Sequence, residues 1–587
     1  MNHRRPARSK FAVAAIFLSA NLLGAQPLPP GGVELVDPNR EWGMFGGHVK
    51  SQETAKAVEF EVTGAKPEMP WSASVTAHFN GPAIHKGDRL VVAFQARCLQ
   101  GAPGVTNAKI QLGPPAFDTV GMTSPIKIGS KAQPYARTVV ATIDAPAGAA
   151  DVTLFVGGQK QTIQFNDLHV LNYGPDYDLA KLPHETRSYE GREPDAAWRK
   201  EALERIEKNR KVDYAVILVG RDAKPVANTT ITVDMARLEF GFGSCVTRQL
   251  LTEQTPDAEK YRDIAARTFS RVVFENDLKP GLFPEDPQGR EQLTKSVAWL
   301  QQQGISIRGH YLVQNALDGW TRERLGDPAK LKSELLESVR TRIGMMKHDV
   351  VEWDVINHPV AWGGAELLTQ RGPPLDTLPL DVFRAARDLT DLPLCVNEDQ
   401  IFRPGAQQDK TFDYLTKMKR QGLVVAGLGN QAHMHSSFLP SPLDMLKITD
   451  RFATVVPKQV ITEYDIVAEG DDLLAADYLR DSMIACFSHS AYDGFLLWGY
   501  WEGSHWLPEA ALWRKNWQPK PAALVWEDWV GKRWHTRRTL ESDATGRITW
   551  RGFKGTYSLV VHSNGYYRAM DSIHPGSPAA PLRIAIP

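Results

Sequence analysis

A chain of 587 residues is too long for one hydrophobic core, and at about 150 residues per domain it divides into three or four units. Its 68 basic and 68 acidic residues cancel, which leaves no electrostatic footprint for nucleic acid or an anionic membrane. The four cysteines, Cys98, Cys245, Cys395 and Cys486, lie far apart among apolar neighbours. Without metal or redox spacing they read as buried free thiols.

Arg4, Arg5, Arg8 and Lys10 precede an apolar stretch from Phe11 to Leu23, with Gly24 and Ala25 after it. This pattern predicts a signal peptide over residues 1–25 and a secreted or periplasmic protein, since the stretch is short for a membrane span. Residues 31–175 alternate in short runs between Gly, Pro and Asn turns, as in 89–96 and 151–156. They predict an all-β jelly-roll sandwich whose closing run, 162–171, is similar to that of carbohydrate-binding modules. Trp42, Trp71 and Phe79 are either sugar-stacking or core residues there.

Residues 176–238 predict a linker with a helix over 195–210, capped by Asp195, and strands over 212–219 and 229–234. From 239 to 525 short apolar strands alternate with amphipathic helices. Eight strand-like runs (239–244, 271–276, 305–311, 351–357, 392–397, 424–430, 459–463 and 494–499), with helices such as 329–347 and 472–488 between them, predict a (β/α)8 TIM barrel. Residues 526–587 return to β patterning, at 547–553 and 556–561, and predict a small terminal β domain.

In such a barrel chemistry sits at the C-terminal ends of the strands. Those positions hold Glu275, Asn276 and Lys279; His310; Asn357 and His358; Asn397 and Glu398; Gln431 and His433; Glu463; and Trp498, with Trp501 and Trp506 beyond it. Eight of the 16 tryptophans fall between 498 and 534. Amides and carboxylates bond hydroxyls, and indole faces stack on pyranose rings, so the set suits a neutral polyhydroxylated ligand. Trp513, Trp517 and those beyond read as rim packing. A carboxylate facing a proton donor is what cleavage of a glycosidic bond requires.

Ile-Thr-Glu463-Tyr-Asp465-Ile resembles ITELDI, the nucleophile motif of glycoside hydrolase family 10, the retaining β-1,4-xylanases. Phe-Glu275-Asn276-Asp-Leu-Lys279 resembles that family's PENEMKW, Arg-Gly-His310-Tyr-Leu-Val its RGHTLVW, Asn-Gln431-Ala-His433 its MQGH segment, and Trp-Asp-Val-Ile-Asn357-His358 its WDVVNE. Trp498-Gly-Tyr-Trp-Glu with Trp506 and the run 518–521 resembles the closing strand and tail. The resemblance covers roughly residues 240 to 525. It implies Glu463 as nucleophile, Asp465 in support, Asn357 on the sugar 2-hydroxyl, Gln431 near the nucleophile and His433 orienting it. It also implies that Glu275, Asn276, Lys279 and His310 line the glycone side and that Trp498 and Trp506 stack on sugar.

Three positions depart from the family. His358 stands at the acid/base glutamate, Gln314-Asn315 replace Trp-His, and Asn397-Glu398-Asp399 replaces Asn-Asp-Tyr. A histidine can cycle between acid and base near neutrality, but its reach and lone-pair directions differ from a carboxyl's; Glu398 and Glu502 are the other candidate proton donors. The first expectation is therefore a retaining hydrolase of β-1,4-xylan or a related plant-type polysaccharide, with His358 as acid/base. The second is a glycan-binding protein that has lost turnover. A third, a metal-dependent hydrolase, starts from His433 and His435, which face one way at i and i+2 of a strand but have no third ligand at suitable spacing. No cofactor, metal, nucleic acid or membrane partner is implied once the signal is removed.

Overall fold

The computed structural model describes residues 28–586 apart from 38–41, 47–48, 55–56, 68, 102, 124, 184–187, 361–365, 404 and 564–565. The predicted signal segment lies outside the described residues. The chain divides into two compact units, Met1–Thr186 and Arg187–Pro587.

The first unit is all-β. One six-stranded antiparallel sheet centres on Arg89–Gln100 and Gln161–Asn172, and a second on Gly104–Leu112 and Ala150–Phe155. Alternate residues from both sheets, among them Phe60, Phe94 and Phe165 from one and Val75, Ile110 and Leu154 from the other, form one buried cluster, the packing that defines a β-sandwich. Phe79 belongs to that core and Trp42 packs against its edge. Trp71 stays 50% exposed.

In the second unit eight parallel strands close on themselves: β1 (Gly241–Val246), β2 (Arg271–Phe274), β3 (Ser306–Gln314), β4 (Glu352–Asn357), β5 (Leu394–Glu398), β6 (Gly427–Asn430), β7 (Lys458–Val467) and β8 (Tyr492–Leu497). Pairing of Gly427–Asn430 with Lys458–Ile461 completes the circle. Residues of β2, β4, β5 and β6 are buried at every position. Strands covered by helices outside and packed side chains inside lose the polar alternation of a half-exposed sheet. The expected strands are all present, with ends shifted by a few residues.

The outer helices start where short polar side chains precede proline. Asp286, Asp327 and Ser441 each accept a bond from an amide of the first turn, with Pro287, Pro328 and Pro442 next in the chain. The cap satisfies a free amide, and proline occupies a position that has no intrahelical bond to lose. The helix at Ala197–Arg210 differs from expectation. Ala196, not Asp195, holds the cap position and no side chain caps it. Arg199 instead binds the carbonyls of Glu193 and Pro194.

Strands from both sides of the barrel in sequence are interleaved. Lys211–Val219 pairs with Arg547–Phe553 and Leu582–Ala585, and Thr230–Leu238 pairs with Arg537–Glu541 and Gly555–Ser563. The stretch read as a linker and the stretch read as a terminal domain therefore share two sheets. All four cysteines are buried and free.

Candidate active site

β7 carries Glu463 at the barrel mouth, 5% exposed. Its Oε1 accepts a 2.7 Å bond from Asn397 Nδ2, and His433 Nε2 stands 3.3 Å from Oε2. His310 Nε2 lies 3.8 Å from Oε1. Burial alone would raise the Glu463 carboxyl, but the His433 bond and the fields of His310, His433 and Lys279 outweigh it and bring it down to about 2. Burial likewise opposes charge on His433, yet Asp465 and Glu463 hold it well above the ordinary imidazole value. The result is an ionised carboxylate in a dry setting, kept so by cations.

Both histidines are braced from behind. His433 Nδ1 is 2.9 Å from Asp465 Oδ1, close as an ion pair though poorly aligned as a hydrogen bond. The other Asp465 oxygen accepts a 2.8 Å bond from the indole of Trp506. His310 Nδ1 is 3.0 Å from Asp354, whose carboxylate Arg308 also binds.

Across the mouth, β4 ends in Asn357 and His358. The His358 backbone sits at φ +49°, a left-handed conformation that costs a side-chain residue roughly 1–3 kcal/mol and that clusters at functional sites. Its amide bonds the carbonyl of Asn397. The imidazole, with the residue 9% exposed, has Nδ1 3.2 Å from Glu398 Oε1 and Nε2 3.2 Å from Gln431 Nε2. Asn357 Oδ1 accepts from Asn397 at 2.9 Å and from Gln431 at 3.1 Å, and its Nδ2 donates to Gln314 at 3.0 Å. Gly429 makes this crossing possible, because a Cβ there would stand 2.2 Å from Asn397 Oδ1.

Glu275 lies partly buried after β2, and burial raises its carboxyl while Lys279 opposes the rise. Lys279 bonds the exposed Asn276 at 3.0 Å and stands 5.6 Å from the Trp498 ring centroid. Trp498 packs edge-on against His310 and is buried, while Trp506 is 54% exposed. The site thus has an indole floor and an indole at its rim.

Residues 232–527 match the sequence profile of glycosyl hydrolase family 10. The chain belongs to this family. Among curated relatives it is 26% identical over 402 residues to the anti-sigma-I factor RsgI6 of Acetivibrio thermocellus, covering 66% of this chain and 50% of that protein. It is 24% identical over 372 residues to endo-1,4-beta-xylanase 2 of Arabidopsis thaliana, covering 61% and 33% respectively. The chain therefore spans half or less of the length of these two relatives. The crystal structure of native xylanase 10B from Thermotoga maritima superposes with a TM-score of 0.45 at 23% identity, covering 50% of this chain and 96% of that one.

Against the family 10 motifs, the structure brings Glu463, His433, Asp465, His310, Asn357, Gln431 and His358 into one bonded network, with Trp506 attached through Asp465. Glu275, Asn276, Lys279 and Trp498 border it on the β2 and β8 side. Neither alternative proton donor is free. Glu398 is fully buried and accepts from the amides of Val360 and Asp399. Glu502 is paired with Lys520 at 2.8 Å and accepts from the Lys515 amide. Burial raises its carboxyl, but Lys520, the Lys515 amide and Arg514 together reverse this and leave it below the ordinary value. Among the described residues no three potential ligands converge to hold a metal, and both ring nitrogens of His433 face carboxylates.

Sequence reasoning named Asn397 as a strand-end residue without seeing that it bridges Glu463 and Asn357. It missed the Arg308–Asp354 brace altogether, because a charged pair inside a strand carries no periodic signal. It also missed His505, whose imidazole burial pushes down to about 4. Trp501 and Trp517 stack at 4.6 Å as rim packing.

Proposed function

We propose that the protein is a glycoside hydrolase acting on β-1,4-xylan or a related plant-type polysaccharide, with retention of anomeric configuration and Glu463 as nucleophile. The observation that carries this reading is the Glu463 carboxylate at the mouth of a family 10 barrel, ionised while buried and held by His433 and Asn397. A carboxylate in that state is ready to attack an anomeric carbon. Asn357 and Gln431 are the amides for the sugar hydroxyls, His310 and Lys279 flank the glycone, and Trp506 offers its face to a pyranose ring. The first unit is read as a polysaccharide tether, and the N-terminal segment as an export signal. Among the described residues no helix is long and apolar enough to cross a membrane.

The test is release of xylose or xylobiose from xylo-oligosaccharides. Glu463→Ala is expected to lower turnover by roughly 10⁴-fold or more. Unchanged activity in that variant would end the proposed mechanism. One observation favours a second reading, a glycan-binding protein without turnover: an imidazole occupies the acid/base position with both nitrogens engaged. Wild-type binding of xylan with no cleavage of any xyloside is its signature.

A further inference from the structure

The hydrogen bonds at the barrel mouth determine where His358 keeps its proton. Amide orientations and imidazole tautomers follow from the network that surrounds them, and this network ends on the Glu463 carboxylate, which faces His433 and His310. An ionised carboxylate only accepts, so the Asn397 atom 2.7 Å from Glu463 is its amino group. The second hydrogen of that group points to Asn357 at 2.9 Å, which makes the facing Asn357 atom its carbonyl oxygen. Thr462 Oγ1 donates to Asn397 Oδ1 at 2.7 Å, which agrees with this orientation. The Asn357 oxygen is met at 3.1 Å by Gln431, which must therefore present its amino group. The remaining hydrogen of that amino group points at His358 Nε2, 3.2 Å away. Nε2 then carries a lone pair, and the ring proton sits on Nδ1, where Glu398 Oε1 accepts it at 3.2 Å.

Every hydrogen of the two amino groups is used, and every acceptor is met by a donor. The other groups around the ring fit the same assignment. Glu398 and Asp399 come from the end of β5, the neutral Gln431 follows β6, and Glu463 stands on β7 at the far end of the relay. Glu398 is itself fixed by the amides of Val360 and Asp399.

We infer that Glu398 is a positioning residue that holds His358 as its Nδ1–H tautomer, so that the acid/base position of this barrel presents a proton acceptor. The inference rests on the proposed reading of Glu463 as nucleophile for its consequence, not for its geometry. With an acceptor at that position the site assists the second half of a retaining reaction and not the first. In the first half the bond from Glu463 to the anomeric carbon forms as the bond to the aglycone oxygen breaks, and the aglycone leaves with the electron pair. In the second half a water oxygen bonds to the anomeric carbon, the ester bond breaks and its pair returns to Glu463. The Gln431 hydrogen bond to His358 Nε2 gives way, the freed lone pair takes the water proton, and the imidazolium later releases it to bulk solvent. The substrate class this favours is a xyloside whose aglycone departs without a proton, such as an aryl glycoside of an acidic phenol.

The tautomer is read in the full-length protein labelled with ¹⁵N-histidine, from two-bond ¹⁵N–¹H correlations at neutral pH, with His358→Asn assigning the signal. Protonated Nδ1 with bare Nε2 is expected. A proton on Nε2, or on both nitrogens, would overturn the assignment whether or not any glycoside is cleaved. Glu398→Ala should convert a large share of His358 to the Nε2–H form, while Glu398→Gln, whose carbonyl still accepts from Nδ1–H, should restore the original signal. An unaltered tautomer in a folded Glu398→Ala protein would remove Glu398 from the role. The aglycone class is tested with 4-nitrophenyl and phenyl β-xylobiosides, the first expected to turn over about 100-fold faster, the lower range of what a general acid contributes. Rates within a few-fold of each other would sink that class. Inertness toward both, with the tautomer as assigned, would count against hydrolysis itself and leave the proton assignment standing.

Discussion

Glu463 on β7 and His358 at the end of β4 belong to one hydrogen-bonded chain, yet their surroundings differ in kind. On the β7 side the carboxylate is ringed by His433, His310 and Lys279; the two histidines are braced by the further carboxylates Asp465 and Asp354, and Lys279 stands over the Trp498 indole. Charge there is met by charge, which lets a buried acid stay ionised. On the β4 side His358 meets the Gln431 amide and the Glu398 carboxylate, which also accepts from the backbone amides of Val360 and Asp399. One wall matches the family 10 motifs nearly residue for residue. The other departs from those motifs at His358, at Gln314-Asn315 and at Glu398-Asp399 together. His358 thus departs from the motif along with the groups that hold it, and a proton's place depends on all its partners.

Four variants sharpen or break this contrast. The largest effect is expected from His358→Glu, which sets a carboxyl beside the buried Glu398. Two carboxyls in one dry site share a proton, and the resulting acid should raise hydrolysis of xylotriose by about 10²–10⁴-fold. No gain would mean that the β4 wall has lost more than its acid. His433→Gln attacks the other wall. Glu463 titrates near 2 because cations favour its ionised form. Removing one raises its pKa toward the ordinary glutamate value of about 4.3, so the acid limb of the kcat/KM profile should move to higher pH. A limb that stays in place would show that His433 does not set the charge on Glu463.

Trp506→Ala removes the exposed indole and its bond to Asp465. At the roughly 0.5–1.5 kcal/mol typical of aromatic stacking, KM for xylo-oligosaccharides should rise about 2–10-fold with kcat little changed. A fall in kcat alone would mean that Trp506 acts through Asp465 and His433 instead of on the sugar. The smallest effect belongs to the first unit. Trp71→Ala should lower retention on insoluble xylan about twofold, as expected for one partly exposed stacking residue. Wild-type retention would exclude Trp71 from polysaccharide contact.

The order of strands and helices was legible in the chain because hydrophobic periodicity is local. The runs at 271–276, 351–357 and 494–499 announce buried strands, and the residues that follow them announce the mouth of the barrel. The family 10 motif around Glu463 was legible for the same reason, since its residues adjoin one another on one strand. The interleaving of 211–238 with 537–585 was not, because pairing across 300 residues leaves no trace in either segment. Only the tertiary structure joined Asn397 to both Glu463 and Asn357, set Glu398 behind His358, and paired Glu502 with Lys520. Hydrogen-bond polarity passes from one side chain to the next through space, so the protonation of a single imidazole is decided by strands that the sequence keeps far apart.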